Sequence, residues 1–144
     1  MPLVGGGGAP NVAGGSNPAG TVTSLNILGD HAYAIANVQG ATDDSDIQLK
    51  FNTGSYYFVG RWTVNGAARA DAPDNGNVTV WTLSMNGTNA IVMKTDTRDE
   101  DMPSTQYNDI IIPPYTSIEI VSQSNSDEAT NLQSCLVTGR IYHA

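Results

Sequence analysis

The chain has 144 residues and carries 14 acidic against six basic side chains, a formal net charge of −8 at pH 7. That length suits one domain with a single core, and that charge repels phosphate backbones and anionic headgroups, which argues against nucleic-acid or membrane-surface binding. No apolar run approaches the roughly 20 residues of a membrane-spanning helix, and the single cysteine, Cys135, leaves no internal disulfide, in keeping with a reducing compartment.

Residues 1–20 stand apart in composition. They hold seven glycines and three prolines, no charged side chain, and only Leu3, Val4 and Val12 as sizeable apolar groups. Such a segment buries too little apolar surface to offset the entropy of ordering it alone. Two readings stay open: a loose terminal tail, or an arm that orders against another subunit, with Leu3, Val4 and Val12 filling pockets and Pro2, Pro10 and Pro18 setting short extended pieces. The opening Met1-Pro2-Leu3-Val4 has neither a basic nor a long apolar stretch, so no export signal is expected.

From Thr21 the pattern becomes short β-rich runs divided by turn signals. Between Thr21 and Val38, Ala32, Ala34 and Ala36 alternate with Tyr33, Ile35 and Asn37, which favours a strand over a helix. Ile47, Leu49 and Phe51 fall on one face of the next run, with Gln48 and Lys50 on the other. Tyr56, Phe58, Trp62 and Val64 then alternate with Tyr57, Val59, Arg61 and Thr63, a strand with material to bury on both faces. Asn65-Gly66 and Asn75-Gly76 read as turns bracketing a loop. Val78–Met85 is β-rich, and Asn86-Gly87 is a strong hairpin signal into Ile91, Val92 and Met93. Ile110–Ile112 run into Pro113-Pro114, and 117–121 and 132–142 supply the last strands. The expected fold is therefore all-β: an antiparallel β-sandwich over 21–144, jelly-roll-like, of about eight strands, carrying a flexible glycine-rich N-terminal arm over 1–20.

Chemistry-bearing motifs are few. Asp96, Asp99, Glu100 and Asp101 form one acidic cluster and Asp43, Asp44 and Asp46 another; neither has the spacing of a calcium loop, so both read as solvated loops and no metal is expected. His31 follows Asp30, which predicts a simple hydrogen-bonded pair, and His143 lies one residue from the chain end. No nucleophile–base signature, nucleotide-binding glycine pattern or zinc motif occurs, so neither catalytic residues nor cofactors are expected. Cys135 among Leu132, Leu136 and Val137 reads as a buried, inert thiol. Asn77-Val78-Thr79 and Asn86-Gly87-Thr88 match the glycosylation pattern, but carry no weight without a secretory signal. Among the aromatics, Tyr57, Trp62 and Trp81 are the residues to place on an oligomer or ligand face. Core and interface packing competes with a sugar-stacking platform for them.

The opening MPLVGGGGAPNVAGGSNPAG, the following NILGDHAYA, the stretch IIIPPYTSIEI and the closing LVTGRIY together resemble small jelly-roll capsid decoration, or cement, proteins of tailed bacteriophages. The resemblance implies a non-enzymatic virion protein made in the host cytoplasm and placed on the capsid exterior. It would bind the major capsid protein or neighbouring virion subunits, frequently as a homotrimer. Leu3, Val4, Pro10, Val12 and Pro18 are then the docking arm. The alternative is a carbohydrate-binding β-sandwich module associated with a phage tail or fibre.

Overall fold

The computed structural model describes residues 25–36, 39–40, 44–68, 78–97, 104–125 and 131–143. The arm residues Leu3, Val4, Pro10, Val12 and Pro18, and the acidic residues Asp43, Asp99, Glu100 and Asp101, lie outside the described residues.

Among the described residues every regular element is a strand: β1 (Asn26–Leu28), β2 (His31–Ile35), β3 (Gln39–Gly40), β4 (Asp46–Asn52), β5 (Tyr56–Ala68), β6 (Val78–Met85), β7 (Thr88–Asp96), β8 (Ser104–Ile112), β9 (Ser117–Ser124) and β10 (Asn131–His143). They form two antiparallel sheets, one ordered β1-β2-β10-β5-β8 with β3 also on β10, the other β4-β9-β6-β7. β2 and β3 both pair with the same side of β10, at Leu136–Arg140 and at Leu132–Gln133, so together they act as one interrupted edge strand. Counted so, eight strands give β2-β10-β5-β8 facing β4-β9-β6-β7, the nested Greek-key order of a jelly roll, with β1 added outside β2. The expected fold class stands.

Alternation builds the core. Phe58, Trp62 and Val64 of β5, Cys135, Val137 and Ile141 of β10, and Ile110 and Ile112 of β8 point inward from the larger sheet. They meet Leu49, Phe51, Trp81, Leu83, Met93, Ile118 and Ile120 from the smaller one. Ala32 and Ala34 of β2, and Ala36 just beyond its end, are all buried, so the alternation read there in the sequence is real. Gly60 and Gly139 oppose each other in register at the centre of the larger sheet. The ring of Phe58 covers both, and a Cβ on either would meet it, at 2.6 and 2.8 Å, as well as the neighbouring backbone.

Two sequence expectations fail for physical reasons. A β-bulge between Ile47 and Leu49 shifts the register of β4 against β9 and breaks the alternation. Ile47 is consequently exposed, while Gln48 turns inward and its Nε2 donates to Ser122 Oγ at 2.8 Å. Asn65-Gly66 is not a turn: it continues β5, paired with Gln133 and Ser134 on one side and Ser104 and Thr105 on the other. Gly66 is used there for close approach, since a Cβ would lie 3.0 Å from the Thr97 side chain and 3.2 Å from Thr95 Oγ1 of the opposite sheet. Asn86-Gly87 does form the expected hairpin turn, with both residues at positive φ (49° and 80°), the geometry of a type I′ turn.

Candidate functional site

Of the three aromatics singled out for a ligand or oligomer face, only Tyr57 is on one. Trp62 and Trp81 are fully buried on the inner faces of the two sheets, so both belong to the core. The inward phase of each strand decides this: Trp62 shares its face with Phe58 and Val64, and Trp81 shares its face with Leu83. Trp81 Nε1 donates to Thr95 Oγ1 at 3.0 Å, whereas Trp62 Nε1 has no hydrogen-bond partner.

Among the described residues the outer face of the larger sheet carries marked surface relief. Cross-strand register sets its rows: His31, Arg140, Val59 and Ile111 lie side by side, then Tyr33, Thr138, Arg61 and Asp109, then Ile35, Leu136, Thr63 and Tyr107. Two depressions adjoin on this face. One, of about 600 Å³, lies between β2 and β10 and is lined by Tyr33, Leu136, Thr138, Arg140 and His31 over the backbone of Ala32 and Gly139. The other, of about 520 Å³, lies between β5 and β8 and is lined by Val59, Arg61, Asp109 and Ile111 over Gly60 and Ile110. Thr138 contributes to the lining of both. The trough they make runs across four strands, roughly 14 Å at the usual strand spacing.

Arg61 organises the second depression. Its Nε donates to Asp109 Oδ1 at 2.7 Å and its Nη2 to Asp109 Oδ2 at 3.3 Å, a two-point pairing of planar groups. The guanidinium carbon also sits 4.1 Å from the ring centroid of Tyr107, within cation–π range. The Asp109 hydrogen bond raises the Arg61 pKa above its ordinary value, and the Arg61 hydrogen bond holds the Asp109 carboxyl below its own. Both groups thus stay ionised and mutually neutralised at ordinary pH. Further along, Thr105 Oγ1 donates to Asn65 Oδ1 at 3.0 Å beside a smaller depression of about 220 Å³.

The titratable residues flagged in the sequence fall elsewhere or are plainly accounted for. His31 Nδ1 lies 2.8 Å from Asp30 Oδ1, the simple pair expected, and Arg140 Nη1 is 3.6 Å from Asp30 Oδ2. His143 packs edge-on to Tyr56, with ring centroids 5.2 Å apart. Cys135 is buried, and burial pushes its thiol pKa up to about 12, as befits an inert side chain. Among the described residues no three His, Cys, Asp or Glu side chains come together as metal ligands would.

Sequence reasoning did not nominate Tyr33, Arg61, Tyr107, Asp109 or Thr138 as site residues. Arg61 in mid-strand between Val59 and Thr63, and Asp109 directly before three isoleucines, were visible irregularities. Only the pairing Arg61↔Asp109 makes them one feature.

No family model matches the chain, and no curated protein does. Solved structures do resemble it in fold. A family 35 carbohydrate-binding module from an environmental isolate aligns at TM-score 0.45 and 17% identity, over 88% of this chain and 89% of that one. Dimeric latent PorU from Porphyromonas gingivalis aligns at TM-score 0.43 and 14% identity, over 89% of this chain but only 14% of its own. The EclA C-terminal domain, a sugar-binding protein, aligns at TM-score 0.37 and 14% identity, over 76% of each chain.

Proposed function

We propose that this protein is a non-catalytic recognition module that binds a neutral carbohydrate chain along the trough on the outer face of the larger sheet. The observation that carries the reading is the pair of adjoining depressions, one lined by the Tyr33 ring and the other by the paired planar groups of Arg61 and Asp109, with Thr138 shared between them. A sugar ring has an apolar face that stacks on an aromatic ring and hydroxyls at its rim that both donate and accept. Arg61 supplies donors, Asp109 acceptors and Thr138 both. Because Arg61 and Asp109 cancel one another and the chain is net acidic, an uncharged ligand fits better than an anionic one.

The test is calorimetric titration of the full chain with soluble neutral oligosaccharides of different backbone linkages. Binding to at least one is expected, with Tyr33→Ala and Arg61→Ala each weakening it about tenfold or more and leaving the β circular-dichroism signal unchanged. Absence of heat with every neutral oligosaccharide at millimolar concentration, or binding indifferent to both substitutions, would refute the assignment.

A second reading draws on the aliphatic part of the same face. Ile111 is 66% exposed and Val59 42%, side by side in register along the second depression. They suit a protein contact, and with the resemblance of the sequence to capsid decoration proteins they support attachment to a virion surface. Co-sedimentation with capsids, reduced by Ile111→Ser but not by Tyr33→Ala, is the result that would favour this reading.

A further inference from the structure

The trough lies between two of the cross-strand rows. His31, Arg140, Val59 and Ile111 form one wall, and Tyr33, Thr138, Arg61 and Asp109 form the other, two residues or about 7 Å away along each strand. The floor between them is backbone, because Ala32 and Ile110 turn their side chains into the core and Gly139 and Gly60 have none. Halfway along, the walls exchange character. In the depression between β2 and β10 the first wall is polar, with His31 and Arg140 gathered on Asp30, and the second carries the Tyr33 ring with Leu136 beside it. In the depression between β5 and β8 the first wall is the aliphatic pair Val59 and Ile111, and the second is the Arg61–Asp109 pair. Thr138, shared by both depressions, stands at the changeover.

A pyranose ring linked through its positions 1 and 4 has two unlike edges. One carries the neighbouring hydroxyls of C2 and C3, which donate and accept hydrogen bonds. The other carries the ring oxygen and C5 and is poorer in donors. Where both linkage bonds are equatorial, the chain is extended and each ring is turned over relative to the last, so the hydroxyl edge alternates from side to side. Where one linkage bond is axial, as in an α-1,4 chain, the chain coils and successive hydroxyl edges stay on one side. Such a chain would set a hydroxyl edge against Tyr33 or against Val59 and Ile111, where its hydrogen bonds go unmade.

We propose that the ligand of the trough is an extended neutral polysaccharide with diequatorial 1,4 linkages. Two of its rings, turned over relative to each other, occupy the two depressions. The hydroxyl edge of one meets His31 and Arg140, and that of the other meets Arg61 and Asp109. The inference rests on the carbohydrate reading given above and narrows it to a linkage. The run of the trough agrees with it. The rows cross four strands in register, and β8 is the edge of the larger sheet, so a chain longer than the trough can continue past Asp109 and Ile111. Val59 and Ile111 then serve the same purpose in the second depression as Tyr33 in the first, covering the edge or face of a ring that makes no hydrogen bonds.

Calorimetric titration of the full chain with neutral trisaccharides of different linkage tests this. The β-1,4-linked probes are cellotriose, mannotriose and xylotriose, and the α-1,4-linked probe is maltotriose. The best of the β-1,4 probes is expected to bind at least about tenfold more tightly than maltotriose. Arg140→Gln should weaken that probe about as much as Arg61→Ala, and the two losses should multiply in the double variant, because they fall on different rings. Maltotriose binding as tightly as the best β-1,4 probe would overturn the linkage and leave the carbohydrate reading in place. So would an Arg140→Gln variant that binds normally while Tyr33→Ala and Arg61→Ala bind weakly. Heat from none of the neutral trisaccharides at millimolar concentration would overturn both.

Discussion

Replacing Tyr115 by glycine should make the isolated chain more stable, although it deletes a large aromatic side chain. With φ at 55°, Tyr115 holds a left-handed backbone conformation that costs a non-glycine residue about 1–2 kcal/mol. Glycine removes that cost but adds freedom to the unfolded chain, worth about 0.4–1 kcal/mol in the opposite direction. The ring is 78% exposed, so its removal forfeits little burial. The balance is a gain of about 0.5–1 kcal/mol, or roughly 2–4 °C in Tm for a domain of this size. The control is Tyr115→Ala, which loses the same ring yet keeps the strained φ. Thermal and urea unfolding of both variants should rank glycine above alanine by about that amount. If alanine equals or exceeds glycine, the turn is not strained and the reasoning fails.

Two further outcomes follow from the core. Trp62→Phe should cost less stability than Trp81→Phe, by about 1–3 kcal/mol in urea unfolding, because the first removes an indole N–H that has no partner while the second leaves the buried Thr95 hydroxyl without its donor; equal costs would contradict the hydrogen-bond assignment. Cys135 should resist thiol reagents in the native protein and make folding sensitive to alkali. Its folded pKa is raised from 9.0 to about 12, so above pH 9.0 the unfolded chain binds fewer protons, and stability should fall by about 1.4 kcal/mol per pH unit up to about pH 12, with no contribution below pH 9.0. Cys135→Val should remove that component of the alkaline slope.

The fold was largely legible from the sequence because its strands announce themselves through alternation and its tightest hairpin through Asn86-Gly87. The exceptions share one cause. Asn65-Gly66 carries the same turn chemistry as Asn86-Gly87, yet neighbours on both sides hold it in a ladder and Thr95 and Thr97 press against it from the opposite sheet. Gln48 reads as outward by parity, yet a bulge two residues wide turns it inward to Ser122. Both outcomes depend on which strands pair and in what register, and local patterning does not encode that. The candidate site was less legible for the same reason. Trp62 and Trp81 attracted attention as large aromatics, but size favours burial, and both went to the core. The surface features worth weighing were smaller and came from partners far apart in the chain: Arg61 with Asp109 and Tyr107, Tyr33 with Thr138, and Tyr57 with Tyr142.

The facing Gly60 and Gly139 tie two positions far apart in the chain to one ring: because Phe58 lies over both, a side chain introduced at either would have to displace the same aromatic group and the same stretch of backbone. The two glycines should therefore behave as one unit under substitution, the second change costing less once the first has already moved the ring.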